Sequence, residues 1–459
     1  MSEGMRPEQA PPGRNPYSHP FMFCSGFECS YPTIAGKNGQ RERVDELAKT
    51  GHYDHWKEDL HLVKDLGLKY LRYGPPYYRT NPAPDRYDWE FVDETFGELR
   101  RLGITPIADL CHFGLPDWLE SFQNPDFPKE FAKYAAAFAK RYPWVRLYTP
   151  VNEILVACKF SAQEGWWNER QKSDRAFVQA VVNCARATLA GEEAILEQTP
   201  RALFMQSEAS TYTHALDPKV QDKADFENQR RFIALDLIYG RDTSALLLGY
   251  MLDNGFKREE YSYFIEHGRR VRPYCILGND YYALNEHILS AEGESADADT
   301  RVFGYYVITR QYYDRYRMPI MHTETNQRPD SPEHAPRWLH EQWLNLMRLK
   351  HEGVPIIGFT WFSVLDQVDW DTSLRENNGR VNPLGLYDLS RQLRPVGKAY
   401  KALMKHWRDV PMDQSRGISD AEVQPDVGPK PDFHRAVELP HQEEPSGQSD
   451  DSRRPAGTA

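Results

Sequence analysis

The sequence predicts an α/β protein that folds as a single (β/α)8 barrel, the TIM barrel. Eight short apolar runs of strand-forming residues occur along the chain, and segments with apolar residues at helical spacing lie between them. Alternation of this kind predicts a parallel sheet, and eight strands with eight helices favour a closed barrel over an open doubly wound sheet. The chain of 459 residues is long enough for the large core that such a barrel needs.

The elements follow one another in regular order. Segment 56–66 shows the helical pattern, because Leu60, Val63 and Leu66 share one face and Gly67 follows as a C-cap residue. Strands are predicted at 21–28, 69–74, 105–111, 146–152, 202–207, 274–281, 319–323 and 356–362. Helices are predicted at 56–66, 91–102, 129–141, 175–197, 224–239, 301–316, 337–351 and 398–406.

Both ends of the chain differ in composition from the rest. Residues 1–18 are polar and rich in proline, and residues 411–459 are rich in Pro, Asp, Glu, Ser and Gly. Segments that lack large apolar side chains cannot bury enough surface to offset the entropy of ordering. The sequence therefore predicts a disordered N-terminal segment over 1–18, a barrel over 19–410 and a disordered acidic, Pro-rich tail over 411–459.

Charge and cysteine usage restrict the possible partners. The net charge is −11 and charges of both signs are interspersed, which argues against binding to nucleic acids or to anionic membranes. The N-terminus lacks the pattern of a signal peptide, and no apolar run is long enough to span a membrane. The six cysteines show no metal-binding or redox spacing, so we expect reduced thiols in a cytoplasmic protein.

Two glutamates at the ends of predicted strands are the candidate catalytic residues. The runs 148–153 and 319–326 are short and β-prone, and they deliver Glu153 and Glu324 where a loop should begin. Cleavage of a glycosidic bond needs two carboxyl groups: one protonates the leaving oxygen, and the other attacks the anomeric carbon or activates water. The ends of barrel strands are suited to holding such a pair. We expect Glu153 to be the general acid/base, with a pKa raised by burial and by the second carboxylate.

Several motifs occur in the order found in glycoside hydrolase family 1, the retaining β-glycosidases. Thr149 to Glu153 is similar to the family's Thr-x-Asn-Glu-Pro motif, with one extra residue and Ile154 in place of the proline. His322 to Asn326 lies where the family has Thr-Glu-Asn-Gly. Further similar segments are 51–72, 102–119 and 358–370, so the resemblance spans roughly residues 20 to 406. The chain resembles a divergent member of this family.

The resemblance implies roles for individual residues. Glu153 would be the acid/base and Glu324 the nucleophile, which Arg72 and the hydroxyl of Tyr281 would orient, and Asn152 would hydrogen-bond the sugar's 2-hydroxyl. Sugar-binding positions match Glu28, His112, Trp361, Asp369 and Trp370, whereas Trp166 and Trp167 are candidates for contact with the aglycone. Glu28, Asp369, Phe362 and Asp280 depart from the residues usual in the family (Gln, Glu, Trp and Asn), so we expect a reshaped sugar pocket.

The expected function is that of a retaining exo-β-glycosidase, β-glucosidase-like, that acts by double displacement on a small glycoside or oligosaccharide without cofactor or metal. One alternative is a catalytically idle sugar-binding barrel, since a fold does not guarantee turnover. Another is a metal-dependent sugar isomerase or epimerase, for which His112, Glu153, Asp280, His322 and Glu324 would supply ligands. The sequence leaves the sugar, the aglycone and the oligomeric state open.

Overall fold

A closed barrel of eight parallel strands forms the centre of the computed structural model, which describes residues 21–298, 302–327 and 331–407. The strands pair in chain order and the eighth pairs with the first, so the predicted barrel is confirmed. The segments predicted as disordered, 1–18 and 411–459, lie outside the described residues. The barrel strands are β1 (Met22–Gly26), β2 (Tyr70–Tyr73), β3 (Thr105–Asp109), β4 (Leu147–Thr149), β5 (Leu203–Gln206), β6 (Cys275–Asp280), β7 (Ile320–Glu324) and β8 (Ile356–Phe362).

Helices connect successive strands along the outside of the barrel. The main ones are α1 (His52–Leu66), α2 (Glu90–Leu102), α3 (Phe127–Arg141), α4 (Asp174–Gln198), α5 (Tyr261–Val271), α6 (Gly304–Tyr316), α7 (Ala335–His351) and α8 (Pro395–Trp407). The predicted helix 224–239 is instead divided into Gln221–Arg230 and Ile233–Ile238, and Ala245–Asp253 and α5 complete the same connection. None of the helices within the described ranges combines the length and apolar character needed to cross a membrane.

Glycine and side-chain caps set the ends of several helices. Gly67 and Gly103 end α1 and α2 with φ angles of 87° and 69°, a left-handed conformation that glycine adopts without steric cost. The hydroxyl of Ser173 accepts a hydrogen bond from the backbone N–H of Ala176 and so caps α4. These local signals fix where each helix turns back toward the barrel.

The apolar core has two layers. Side chains from six barrel strands fill the barrel interior, namely Met22, Cys24, Ile107, Leu147, Met205, Ile276 and Met321. A larger cluster lies between the barrel and its surrounding helices. Because apolar side chains close the interior, the polar residues at the carboxyl ends of the strands face a cavity at that end of the barrel.

Short elements in the loops build up this end of the barrel. Thr33–Ala35 pairs with Arg41–Arg43 after β1, and Gln367–Val368 pairs with Val381–Asn382 after β8. Tyr212–Ala215, Glu286–Leu289 and Ser295–Asp297 form a three-stranded sheet from the loops after β5 and β6. Further short helices are Glu46–Lys49, Tyr77–Thr80 and Ile154–Cys158, the last continued by a π-helical turn at Lys159–Gln163.

Candidate active site

Glu153 and Glu324 face each other in a cavity of about 1150 Å³ at the carboxyl end of the barrel. Glu153 follows β4 and has a left-handed backbone (φ 38°), and Glu324 ends β7. One carboxylate oxygen from each of Glu153, Glu324 and Asp280 lies within 4.8 Å of the others. The barrel therefore brings together two glutamates that are 171 positions apart in the chain, from Glu153 to Glu324.

A bulge in β7 orients the side chain of Glu324. His322 pairs with Asn279 of β6, whereas Glu324 pairs with the next residue, Asp280, so Thr323 is an extra residue in the strand. A bulge of this kind bends the strand and redirects the side chain that follows it. The carboxylate of Glu324 consequently lines the cavity although its side chain is only 4% exposed.

Arg72, at the carboxyl end of β2, links several buried polar groups. Its Nη1 donates to a carboxylate oxygen of Glu324 and to Ser207 Oγ, the latter at 2.8 Å. Its Nη2 donates to Asp109 Oδ2 at 2.8 Å and to the side-chain oxygen of Asn152. Charge-assisted hydrogen bonds are strong and directional, so this arrangement holds the Glu324 side chain in a fixed orientation.

The prediction for Tyr281 was wrong by one residue. The hydroxyl of Tyr281 donates to Glu286 Oε1 at 2.9 Å, and its ring is buried and stacks on Trp338. Instead, Tyr282 lines the cavity and donates its hydroxyl to Glu324 Oε2 at 2.6 Å. Neighbouring residues of an extended segment point in opposite directions. The direction of the chain where it leaves β6 therefore determines which of the two tyrosines faces the cavity.

His112 and Glu28 lie together on one wall of the cavity. His112 Nδ1 lies 2.8 Å from Asp109 Oδ2, which fixes the ring, and its Nε2 lies 3.7 Å from Glu28 Oε1. Glu28 also accepts a backbone hydrogen bond from Ser30 at 3.0 Å, and burial raises the pKa of its carboxyl. Asn152 is fully buried with its Nδ2 3.1 Å from His112 Nε2, and it does not line the cavity.

Two tryptophans predicted to bind substrate do not reach the cavity. Trp361 is fully buried and its Nε1 donates to the carbonyl of Leu384 at 3.0 Å. Trp167 is fully buried as well, and its Nε1 donates to the carbonyl of Ser373 at 3.0 Å. Both indoles pack into the core beneath the loops, which corrects their assignment as sugar or aglycone ligands.

Asp369 does not line the cavity either, because its carboxylate holds its own loop. Asp369 Oδ2 lies 2.5 Å from Lys49 Nζ and accepts the backbone N–H groups of Asn378 and Gly379, while Oδ1 accepts that of Arg380. Burial opposes the charge of Asp369, but these partners outweigh it and lower its pKa. The predicted sugar contact is thus replaced by a structural one.

Trp370 and Trp166, both predicted to contact substrate, line the cavity. Trp370 Nε1 is buried with no hydrogen-bond partner among the described residues, which leaves it able to donate to a ligand. The guanidinium of Arg375 lies 4.4 Å from the ring centre of Trp166, nearer the mouth. Gln367 and Asn326 also line the cavity, and the sequence offered no signal for either beyond its position next to a motif.

The buried carboxyl groups in and around the cavity have raised pKa values. Burial, then the charges of Glu324, Asp280 and Glu208, raises the pKa of Glu153 well above its usual value. Burial and the charge of Glu324 raise the pKa of Asp280 to about 7, and burial raises that of Glu208 to about 8. These surroundings favour the protonated form of Glu153.

Among the described residues, two groups of side chains have donor atoms close enough to share a metal ion: Glu153 with Asp280 and Glu324, and Cys29 with Asp109 and His112. In the first group, Arg72 and Tyr282 donate hydrogen bonds to both oxygens of Glu324. In the second, Asp109 Oδ2 contacts both the Arg72 guanidinium and the His112 ring. One carboxylate of each group is thus engaged with protein hydrogen-bond donors.

Comparison with known proteins places the chain among sugar hydrolases. The model of glycosyl hydrolase family 1 matches residues 29–240. An aryl-phospho-β-D-glucosidase of Bacillus subtilis (strain 168), BglA, is 24% identical over 380 residues, 70% of this chain and 77% of the relative. A cytosolic β-glucosidase of Homo sapiens is 27% identical over 148 residues, 30% of this chain and 32% of the relative.

Solved structures share the fold. A β-glucosidase from Thermotoga maritima in complex with azafagomine superposes with a TM-score of 0.71 at 19% identity, over 84% of this chain and 97% of that one. The complex of the same enzyme with cyclophellitol superposes with a TM-score of 0.70 and the same coverage. The family match over residues 29–240 and the curated relatives show that the chain is a glycoside hydrolase related to glycosyl hydrolase family 1, and the solved structures share its fold.

Proposed function

We propose that this chain is a retaining exo-β-glycosidase that hydrolyses β-glucosides, with Glu153 as acid/base and Glu324 as nucleophile. The observation that carries the proposal is the approach of the two carboxylates to within 4.8 Å across the cavity. Retaining enzymes hold their carboxyl groups about 5–5.5 Å apart, whereas inverting enzymes need about 6.5–9.5 Å to admit a water molecule. The short separation supports double displacement.

In the first step, Glu324 attacks the anomeric carbon while Glu153 protonates the departing glycosidic oxygen. The C–O bond to the aglycone breaks, a glycosyl ester of Glu324 forms, and the alcohol leaves with the proton of Glu153. Arg72 and Tyr282 donate hydrogen bonds to Glu324 and orient it for the attack. Burial and the neighbouring carboxylates favour the protonated form of Glu153 before the step.

In the second step, the ionised Glu153 takes a proton from water, whose oxygen attacks the anomeric carbon. The ester bond to Glu324 breaks, sugar is released with its original β configuration, and both glutamates return to their starting states. The same two side chains therefore serve both steps, and no further group has to supply or accept a proton.

The remaining cavity residues recognise the substrate. Glu28, His112 and Gln367 present polar atoms toward the sugar, and Trp370 supplies an apolar surface and a free N–H donor. Asn152 does not contact the substrate in this arrangement; it hydrogen-bonds to Arg72 and lies beside His112, and so fixes the positions of both. We assign Trp166 to the aglycone side.

A mechanism-based label tests the proposal. Treatment with an activated 2-deoxy-2-fluoro-β-glucoside should trap the ester, and mass spectrometry of the digested protein should find the label on Glu324. Glu324→Gln should not be labelled, and Glu153→Gln should lose about 10²- to 10⁴-fold in kcat/KM toward substrates with poor leaving groups. A label on any residue other than Glu324, with glucoside turnover intact, would overturn the nucleophile assignment.

A panel of aryl glycosides tests the sugar and separates the other interpretations. It would cover gluco, galacto, manno, fuco, xylo and glucurono configurations, and we expect the highest kcat/KM for the gluco compound. Binding without hydrolysis across the panel would support an idle sugar-binding barrel, and activity abolished by EDTA would support a metal-dependent enzyme. We also propose a cytoplasmic location, supported by six unpaired buried cysteines and by similarity to cytosolic β-glucosidases.

A further inference from the structure

A third carboxylate lies beside the two glutamates. Asp280 ends β6, is fully buried, and has an oxygen within 4.8 Å of oxygens of both Glu153 and Glu324. It does not line the cavity, so it cannot contact a bound substrate. Any effect of Asp280 on the reaction must therefore act through its neighbours.

One hydroxyl connects Asp280 to the partner of the nucleophile. Both carboxylate oxygens of Asp280 lie within hydrogen-bond distance of Ser207 Oγ, at 2.8 and 2.6 Å. The same Ser207 Oγ accepts from Arg72 Nη1 at 2.8 Å, and that nitrogen also donates to Glu324. Asp280 and Glu324 thus share the charge of a single guanidinium, the first through a hydroxyl and the second directly.

Negative charge predominates around Asp280. The ionisable groups that face it are Arg72 from β2, Glu153 after β4, Glu208 after β5, Tyr282 after β6, Tyr305 and Tyr312 of α6, and Glu324 of β7. Arg72 is the one cation in this set. A carboxylate at position 280 therefore favours the protonated form of Glu153, whereas a neutral amide would not.

We propose that Asp280 is a positioning residue of the hydrolytic reaction, which shares Arg72 with Glu324 through Ser207 and extends to higher pH the range in which Glu153 keeps its proton. This inference rests on the proposed function, since it assigns an effect on those two glutamates. The direction of the pKa shifts agrees with it, because the charges of Glu324 and Asp280 are the main contributors after burial to the raised pKa of Glu153.

The pH profile of kcat/KM for an activated aryl β-glucoside provides the test. In Asp280→Asn, the amide oxygen still accepts from Ser207, but the charge is gone. The alkaline limb should move to lower pH by about one unit, because Glu153 loses its proton more readily. If kcat changes while the alkaline limb stays in place, Asp280 is merely structural and the proposal is wrong.

Glu208→Gln is the matched control. Glu208 is also a buried carboxyl that raises the pKa of Glu153, but its Oε1 accepts from the backbone N–H of Leu155 and it has no bond to Ser207 or Arg72. Removing its charge should shift the alkaline limb by less than Asp280→Asn does, because Asp280 contributes more than Glu208 to the raised pKa of Glu153. An equal shift would mean that any nearby carboxyl has this effect, and it would overturn the specific role of Ser207 and Arg72.

Ser207→Ala keeps the proposal testable if Asp280→Asn does not fold. Without the hydroxyl, Asp280 loses its link to Arg72 and is less readily ionised, so the alkaline limb should move to lower pH. An unchanged alkaline limb would contradict the proposal. The labelling experiment distinguishes failure of this proposal from failure of the proposed function. If the label maps to Glu324 and the alkaline limb does not move, only the role of Asp280 is rejected. A label on another residue rejects the proposed function.

Discussion

Glu324 is held from two sides, by the guanidinium of Arg72 and by the hydroxyl of Tyr282. A hydrogen bond to a charged group contributes about 1.5–3 kcal/mol. Tyr282→Phe should therefore lower kcat/KM by about 10- to 100-fold, because the nucleophile loses one of its two orienting donors. Steady-state kinetics with an aryl β-glucoside would measure this loss.

The neighbouring tyrosine provides the control. Tyr281 donates to Glu286 and packs on Trp338, away from the cavity. Tyr281→Phe should change kcat/KM by less than about threefold while it lowers the free energy of unfolding by about 1 kcal/mol. If the two variants exchanged these effects, the assignment made from the structure would be wrong and the one made from the sequence would be right.

At the scale of single elements, β7 carries a titratable residue, His322, two positions before the proposed nucleophile Glu324. His322 is fully buried, with its ring stacked 4.0 Å from that of Tyr305 on α6. Burial lowers its pKa to about 3, and a nearby backbone group of Asn279 only partly offsets this. The native state therefore holds a neutral imidazole, whereas the unfolded chain binds a proton below its ordinary pKa of about 6.5.

The stability that depends on neutral His322 is present above about pH 6.5 and is lost progressively as the pH falls toward 3. At pH 5 the loss should be about 2 kcal/mol. Urea unfolding at pH 7.5 and pH 5 should show that His322→Leu loses less stability over this interval than the parent chain, by about that amount. An identical loss in both proteins would show that His322 does not contribute to acid sensitivity.

The loop after β8 depends on one buried carboxylate. Asp369 is 1% exposed and binds Lys49 together with three backbone N–H groups. Removing one member of a buried pair leaves an uncompensated charge, so Asp369→Ala should lower the free energy of unfolding by about 3 kcal/mol. Denaturant unfolding would measure this effect.

Asp371→Ala is the control for this loop. Asp371 pairs with Arg380, whose side chain is 72% exposed, and accepts one neutral hydrogen bond from Asn382, so Asp371→Ala should cost only about 1 kcal/mol. If Asp369→Ala instead left stability unchanged and altered the preference among sugars in the glycoside panel, Asp369 would be the sugar ligand that the sequence suggested.

At the scale of the whole molecule, α8 completes the barrel. Tyr400 donates its hydroxyl to the carbonyl of Cys24 on β1 at 2.8 Å, and Trp407 packs on Trp343 of α7.

Because the composition of 411–459 predicts no packed structure, a chain that stops after residue 410 should keep its Tm within about 2 °C and its kcat/KM unchanged. Calorimetry and kinetics would check both.

A chain that stops after residue 394 is the corresponding control. It lacks α8 and would leave apolar surface of the core unprotected, so it should not give a cooperative unfolding transition. A large loss of activity on removing 411–459 alone would contradict the prediction that this segment has no part in the barrel or its chemistry.

The parts of the fold that the sequence predicted correctly are those with a repeating local pattern. Each of the eight predicted strands overlaps a barrel strand, because apolar runs that are buried on both faces stand out from the helices around them. The connection between β5 and β6 was predicted less well. Its four helices are short, so their periodicity was too brief to separate 224–239 into two helices or to mark the two that follow.

Within the site, residues at strand ends were easier to predict than those on the loops. Glu153, Glu324, Arg72 and His112 lie where the strand ends place them. Tyr281, Trp361 and Asp369 were assigned to the wrong environment, because a shift of one residue or one turn of loop reverses the direction of a side chain. Local sequence carries little information on such a choice.

The sequence by itself determined that the chain forms a barrel and that two glutamates end strands on the same face of it, since both properties follow from hydrophobic periodicity and from the direction of parallel strands. Only the tertiary structure decided how close the two carboxylates are, which tyrosine holds the nucleophile, and that Asp280 shares the guanidinium of Arg72 with it. The physical reason is that these contacts join residues from different strands. Their distances depend on the closure and register of the whole barrel and on the bulge in β7.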